Sequence, residues 1–123
     1  ELTSDNDPDE DLYRLSLDEA LSNGRKTVVV FSTPAYCQTA ACGPLLEAVK
    51  SILPEYPDVD FVHIEVYTGL TEAGFKPDAD HLAPAVLAYD LVSEPWVYVT
   101  DEAGVVVARF EGVMNTDELR PYL

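Results

Sequence analysis

The feature that most restricts the fold of this chain is the run "TVVVF" at residues 27–31. Four β-branched residues followed by an aromatic one, with no polar interruption after Thr27, are typical of a strand that is covered on both faces. Such a strand lies inside a sheet, next to a parallel neighbour, and needs helices above and below it. The 123 residues suffice for one domain of this kind and are too few for two.

The other segments predict an alternation of helices and strands around this run. Strand–helix–strand at the start implies a right-handed parallel unit, and a hairpin at Gly104 then adds antiparallel strands. The sequence therefore predicts an α/β fold with a mixed central sheet and helices on both faces. The predicted elements are a helix capped by Ser16 and Glu19, a helix at 44–53, a strand at 59–66, a helix at 81–91, strands at 96–100 and 105–111, and a last helix capped by Thr116.

The charge of the chain excludes two classes of partner. A net charge of −16, from 23 acidic and 7 basic residues, argues against binding to nucleic acid or to an anionic membrane, because both need clustered Lys and Arg. Six acids fall within the first twelve residues, so we predict a solvated acidic tail or tether at 1–15 and one domain at 16–123. No apolar run approaches the ~18–20 residues of a transmembrane helix, so none is predicted in this chain.

Both cysteines lie in "FSTPAYCQTAACGP", residues 31–44, with four residues between Cys37 and Cys42. On a regular helix their Cα atoms would be roughly 8–9 Å apart, whereas a disulfide needs about 4.4–6.8 Å. Pro44 suits the first position of a helix, which would leave Cys37 in the preceding loop and make a bond feasible. From the residues alone the pair is a reversible dithiol, a permanent structural disulfide or two separate thiols. His63 and His81 complete no zinc signature, so no metal is predicted.

A second motif, "SEPWVYVTDEAGVVVARFEG" at 93–112, accompanies the apolar strand and the cysteine pair. Together they resemble the thioredoxin superfamily across residues 16–123, and most closely the extracytoplasmic TlpA-like thioredoxin-like proteins of bacteria. The resemblance implies a thioredoxin-like fold in which Pro95 is a cis-proline facing the cysteines. It also implies a location in the cell envelope and a lipoprotein anchor, hence a membrane tether upstream of residue 1.

The resemblance implies a thiol–disulfide oxidoreductase with Cys37 as the nucleophile and Cys42 as the resolving thiol. Its substrate would be a protein disulfide or dithiol, and no cofactor is implied beyond the two sulfurs. The substrate groove would be lined by Tyr36, Glu94, Pro95 and Trp96.

The chain also departs from thioredoxins, which have two residues between the cysteines and a buried acid in the strand that here reads Val28, Val29 and Val30. Two alternatives therefore stay open. One is a peroxiredoxin-like thiol peroxidase, suggested by "TPAYCQTAAC", for which Arg109 is the candidate cation. The other is a binding domain without enzymatic activity, whose disulfide is structural.

Overall fold

The computed structural model describes residues 2–91 and 93–123. Its four strands and four α-helices are short and follow one another in the predicted order. Within the described ranges no helix has the length and apolar character to cross a membrane. The strands are β1 (Thr27–Ser32), β2 (Asp60–Glu65), β3 (Trp96–Thr100) and β4 (Val106–Glu111), and the helices are α1 (Leu17–Ser22), α2 (Cys42–Ile52), α3 (Pro84–Ala88) and α4 (Thr116–Leu119), with 3-10 turns at Glu10–Tyr13, Leu53–Glu55, Ala79–His81 and Arg120–Tyr122.

The strands form one mixed sheet in the order β2-β1-β3-β4. β1 pairs in parallel with β2, from Thr27 opposite Asp60 to Ser32 opposite Glu65. β3 runs antiparallel to both β1 and β4. The predicted mixed sheet is therefore confirmed, with the "TVVVF" run in its interior.

The core lies on both faces of the sheet, as the continuous apolar run requires. Val28 and Val30 of β1 face one side, where they pack against α2 and against Leu119 of α4. Val29 and Phe31 face the other side, where they pack near α3. Because all six residues of β1 are buried, this strand has no polar face and cannot lie at an edge.

Three helix boundaries differ from the sequence prediction. α2 begins at Cys42 rather than at Pro44. α3 covers only Pro84–Ala88 of the predicted 81–91, and Asp90, with a φ of 53°, turns the chain away after it. α4 is capped by Asn115 instead of Thr116. The Asn115 side chain accepts a hydrogen bond from the backbone N–H of Glu118, and the Glu118 carboxylate accepts one from the backbone N–H of Asn115.

Residues 2–15, the described part of the predicted acidic tail at 1–15, pack against the domain. Leu12 is fully buried in the core beneath α2. Asp5 pairs with Lys50 of α2 at 2.6 Å, and the backbone N–H of Ser4 donates to Glu65 at 2.8 Å. This part of the segment thus has contacts with the domain that the prediction of a solvated tail did not include, through Leu12, Asp5 and Ser4. Glu1 lies outside the described residues, and the division of the chain at residue 16 stays a prediction.

Candidate active site

The two cysteines form a disulfide at the carboxyl end of β1. Their Cα atoms are 5.9 Å apart, well inside the range that a disulfide requires. Cys37 lies in the loop that follows β1, and Cys42 is the first residue of α2. Ala40, with a φ of 58°, bends the backbone between them. The irregular backbone that was predicted between the two cysteines is therefore present, and α2 begins two residues earlier than Pro44 indicated.

The two sulfurs have different surroundings. Cys42 is fully buried, whereas Cys37 is partly exposed. The backbone N–H of Cys42 donates to the sulfur of Cys37 at 3.3 Å. This N–H belongs to the first turn of α2, where free N–H groups favour negative charge. The site is therefore arranged to stabilise a thiolate at Cys37 once the bond is open.

The inter-cysteine loop touches the segment before Pro95 at two points. The Thr39 hydroxyl donates to the backbone carbonyl of Glu94 at 3.2 Å, and the backbone N–H of Gln38 donates to the Glu94 carboxylate at 3.4 Å. Thr39 Oγ1 also lies 3.3 Å from the sulfur of Cys37. Residues 38 and 39 thus join the cysteine motif to the loop that carries Pro95.

The four predicted groove residues take different positions. Glu94 contacts the inter-cysteine loop as described, and it joins Pro95, which is buried, through a cis peptide bond. Tyr36 packs edge-on against Phe75, with ring centroids 5.2 Å apart, in an aromatic cluster with Tyr67 and His81. Trp96 stacks on Tyr98, on the sheet face that packs near α3. Their role in binding a substrate stays a prediction.

A pocket of about 240 Å³ adjoins the inter-cysteine loop. Gln38, which follows Cys37 in the sequence, and Glu94 are among its lining residues. Its charged lining residues, Asp78 and Glu94, are acidic. Apolar side chains supply much of the remaining wall: Val66, Tyr67, Pro77, Ala79, Leu82, Val86 and Leu91.

A buried polar cluster lies beside the carboxyl ends of β1 and β2. His63 is hydrogen-bonded through Nε2 to the Ser32 hydroxyl at 2.8 Å and through Nδ1 to the Tyr13 hydroxyl at 2.7 Å. Burial lowers the pKa of His63 to about 4 and raises the pKa of Glu65, two residues further along β2. The cluster reaches the cysteine loop through Ser4, whose hydroxyl bonds to Glu65 and accepts from the backbone N–H of Ala35.

Several residues of the site are not among those predicted from the sequence. Thr39 lies between the cysteines, and its hydroxyl could have marked it as a hydrogen-bond donor for either sulfur. Glu65 and Ser4 gave no such signal, because their contact joins residues 61 positions apart. His63 lies on β2, and its partners Tyr13 and Ser32 come from two other segments.

Residues able to hold a metal ion are not grouped in the part of the chain that the structure describes, where no three His, Cys, Asp or Glu side chains cluster suitably. Arg109, the candidate cation of the peroxidase alternative, lies on β4 opposite Tyr98 of β3.

No protein-family model matches this chain, and no curated protein matches it in sequence. Solved structures do match its fold. Thioredoxin from Fasciola hepatica is 22% identical with a TM-score of 0.58, and the match covers 82% of this chain and 81% of that one. StoA from Bacillus subtilis is 17% identical with a TM-score of 0.60, covering 80% and 82%. Thioredoxin O2 from Arabidopsis thaliana, in its oxidized state, is 21% identical with a TM-score of 0.59, covering 85% and 80%. Sheet order, helix placement and these matches agree that the chain has the thioredoxin-like fold.

Proposed function

We propose that this protein is a thiol–disulfide oxidoreductase that acts on protein disulfides through Cys37 and Cys42. The observation that carries the proposal is the unequal placement of the two sulfurs, one partly exposed and one buried, in a bond at the start of α2. A purely structural bond has no need of a sulfur that solvent and a second protein can reach. An exchanger does need one, because its first step is attack by an accessible thiolate.

Cys37 is the nucleophile in this proposal. Its thiolate attacks one sulfur of a substrate disulfide, so that a Cys37–substrate bond forms and the other substrate sulfur leaves as a thiolate. The Cys42 thiol then gives its proton to a departing substrate thiolate and attacks the Cys37 sulfur, which restores the Cys37–Cys42 bond and releases the second substrate sulfur. Two electrons have passed from the dithiol to the substrate, and the same steps run in reverse for oxidation.

The pocket beside the inter-cysteine loop supports a protein segment as the substrate. Its apolar wall suits one side chain of an extended segment whose disulfide lies over Cys37. Glu94 lines the pocket and precedes Pro95, so we assign this loop to contact with the backbone of that segment. Tyr36 and Trp96 are assigned to the rim on the strength of their place next to Cys37 and Pro95 in the sequence.

For the compartment we propose the extracytoplasmic side of a bacterial cell envelope, as in TlpA-like proteins, with a tether upstream of residue 1. Disulfides persist in such oxidising compartments. The tether rests on the sequence resemblance. It is tested by locating the full-length product in membrane and soluble fractions of the source cells.

The test of the function is the reduction potential of the pair. The protein is equilibrated in glutathione buffers of graded potential, alkylated, and read by mass spectrometry. An exchanger has a potential above about −300 mV, whereas a potential below that value identifies a structural disulfide and overturns the proposal. Reduction of a disulfide-bonded test protein, lost in the Cys37→Ser variant, completes the support. Consumption of hydrogen peroxide by the reduced protein would instead favour the peroxidase alternative.

A further inference from the structure

We propose that the hydroxyl of Thr39 donates a hydrogen bond to the Glu94 carbonyl while the disulfide is closed, and to the Cys37 thiolate once the disulfide is open. The inference rests on the proposed function only in that it assumes Cys37 is the working thiolate. It makes Thr39 a catalytic residue, because its oxygen contacts the reacting sulfur.

The closed state has one proton and two neighbouring acceptors. Thr39 Oγ1 lies 3.2 Å from the Glu94 carbonyl oxygen and 3.3 Å from the Cys37 sulfur. A hydroxyl has a single hydrogen, so it serves one of them at a time. A disulfide sulfur is uncharged and accepts weakly, whereas a carbonyl oxygen accepts strongly. The Thr39 hydroxyl therefore donates its hydrogen bond to the Glu94 carbonyl. Its oxygen accepts a hydrogen bond from the backbone N–H of Ala41 at 3.4 Å.

Opening the bond changes the balance between the two acceptors. A dithiol reductant gives two electrons to the S–S bond and becomes a disulfide itself. One of its two protons goes to Cys42, which becomes a thiol, and the other goes to solvent, which leaves Cys37 as a thiolate. Hydrogen bonds to an ionised acceptor are about twice as strong as those between neutral groups. A rotation about the Cβ–Oγ1 bond of Thr39 is enough to turn the hydroxyl hydrogen towards the sulfur, so that the hydrogen bond moves from the Glu94 carbonyl to Cys37.

The switch has two consequences at the same site. The Cys37 thiolate gains a second donor besides the backbone N–H of Cys42. The Glu94 carbonyl loses its donor at the same moment and becomes free to accept from the backbone of a bound segment. Thr39 thereby couples the ionisation of Cys37 to the availability of the Glu94 carbonyl as a hydrogen-bond acceptor for a bound segment.

The experiment titrates Cys37 by thiolate absorbance near 240 nm in a Cys42→Ala background, which leaves one sulfur to observe. Alanine is used because a serine hydroxyl at residue 42 would itself donate to Cys37. Into this background we introduce Thr39→Val, which keeps the shape and removes the hydroxyl, and Thr39→Ser, which keeps the hydroxyl. Thr71→Val, at an exposed threonine elsewhere, is the matched control.

We expect Thr39→Val to lower the acid ionisation constant of Cys37 about tenfold, the loss of one charge-assisted hydrogen bond. Thr39→Ser and Thr71→Val should leave it within about twofold. Equal ionisation in the Thr39→Val and Thr39→Ser proteins overturns the proposal. Because Thr39 is exposed, both variants are expected to fold, and circular dichroism verifies this.

A second measurement follows the Glu94 carbonyl in the chain with both cysteines. Its ¹³C resonance should move on reduction in the wild type and in Thr39→Ser, and by less than half as much in Thr39→Val. Equal movement in all three proteins also overturns the proposal. Neither measurement requires exchange activity. A reduction potential below about −300 mV together with a Thr39 effect on ionisation would therefore refute the proposed function and leave this inference standing.

Discussion

The backbone N–H of Cys42 lies 3.3 Å from the sulfur of Cys37, and this contact gives the two cysteines unequal positions. Cys37 receives a donor from the first turn of α2 while it stays partly exposed, and Cys42 is enclosed completely. A donor at a helix start favours the ionised sulfur. The contact therefore supports the proposed attacking role of Cys37 and the proposed resolving role of Cys42.

The first prediction follows from this assignment. Cys42→Ala should accumulate a stable mixed disulfide between Cys37 and glutathione, because no second sulfur can displace it. Cys37→Ala should form such an adduct at least about tenfold more slowly, since its remaining sulfur is buried and attack requires access. Intact mass after incubation with oxidised glutathione measures both. Equal adduct formation by the two variants would refute the assignment.

The architecture could be predicted from the sequence because its signals are local. The run at residues 27–31 is buried in full, and the capping box between Ser16 and Glu19 is present as expected. Gly104, with a φ of 79°, supplies the turn between β3 and β4. Each of these features depends on residues within a few positions of one another, so the residue types determine the outcome.

The contacts of the site could not be predicted, because they join distant segments. Thr39 meets Glu94 across 55 positions, and His63 meets Tyr13 across 50. Counting acids suggested a solvated tail at 1–15, but whether an acid is solvated depends on its partner. The partner of Asp5 is Lys50, which only the folded α2 brings into place. Composition therefore indicated the charge of this segment but not its position.

Opening the disulfide should lower the free energy of unfolding by about 2 kcal/mol. The bond joins residues five positions apart, and in the chain-entropy treatment so short a loop restricts the unfolded chain only modestly. Urea unfolding of the oxidised and fully reduced protein measures the difference. Reduction in the Cys37→Ala variant, which has no bond to open, is the control and should change nothing. A loss above about 5 kcal/mol would mean that the bond is essential to the fold.

Lys50→Met should destabilise the protein by about 3 kcal/mol. The Lys50 ammonium lies 2.6 Å from Asp5 and 2.7 Å from Glu47, and both the Lys50 and Asp5 side chains are only 11% exposed. Burial works against the charge, yet hydrogen bonds to Asp5 and Glu47 raise the pKa of Lys50 to about 12. The substitution leaves the Asp5 carboxylate enclosed without a counter-charge, which is the costly outcome for a buried pair.

Three further variants separate this pair from a surface effect. Glu47→Gln should cost less than about 1 kcal/mol, because that carboxylate is 64% exposed. Adding Asp5→Asn to Lys50→Met should restore part of the lost stability by removing the unpaired charge. Denaturant unfolding of the wild type, Lys50→Met, Asp5→Asn and the double variant closes the cycle. If the double variant is as unstable as the sum of the single ones, the N-terminal segment is not held by this pair.

The last prediction concerns pH. Burial lowers the pKa of His63 from 6.5 to about 4. Between pH 6.5 and pH 4, His63 is therefore protonated in the unfolded chain and neutral in the folded chain. The free energy of unfolding should therefore fall as the pH drops from 6.5 to 4, by up to about 3 kcal/mol from this group. Glu65 opposes the trend, because its raised pKa makes the folded state the better proton binder.

The His63→Gln variant isolates the contribution of the histidine. Its free energy of unfolding should depend less steeply on pH than that of the wild type, whatever its absolute stability. Glu65→Gln should keep or steepen the wild-type dependence, and an NMR titration of the His63 ring should show a midpoint near 4. Parallel pH profiles for the wild type and His63→Gln, or a midpoint near 6.5, would show that His63 is open to solvent.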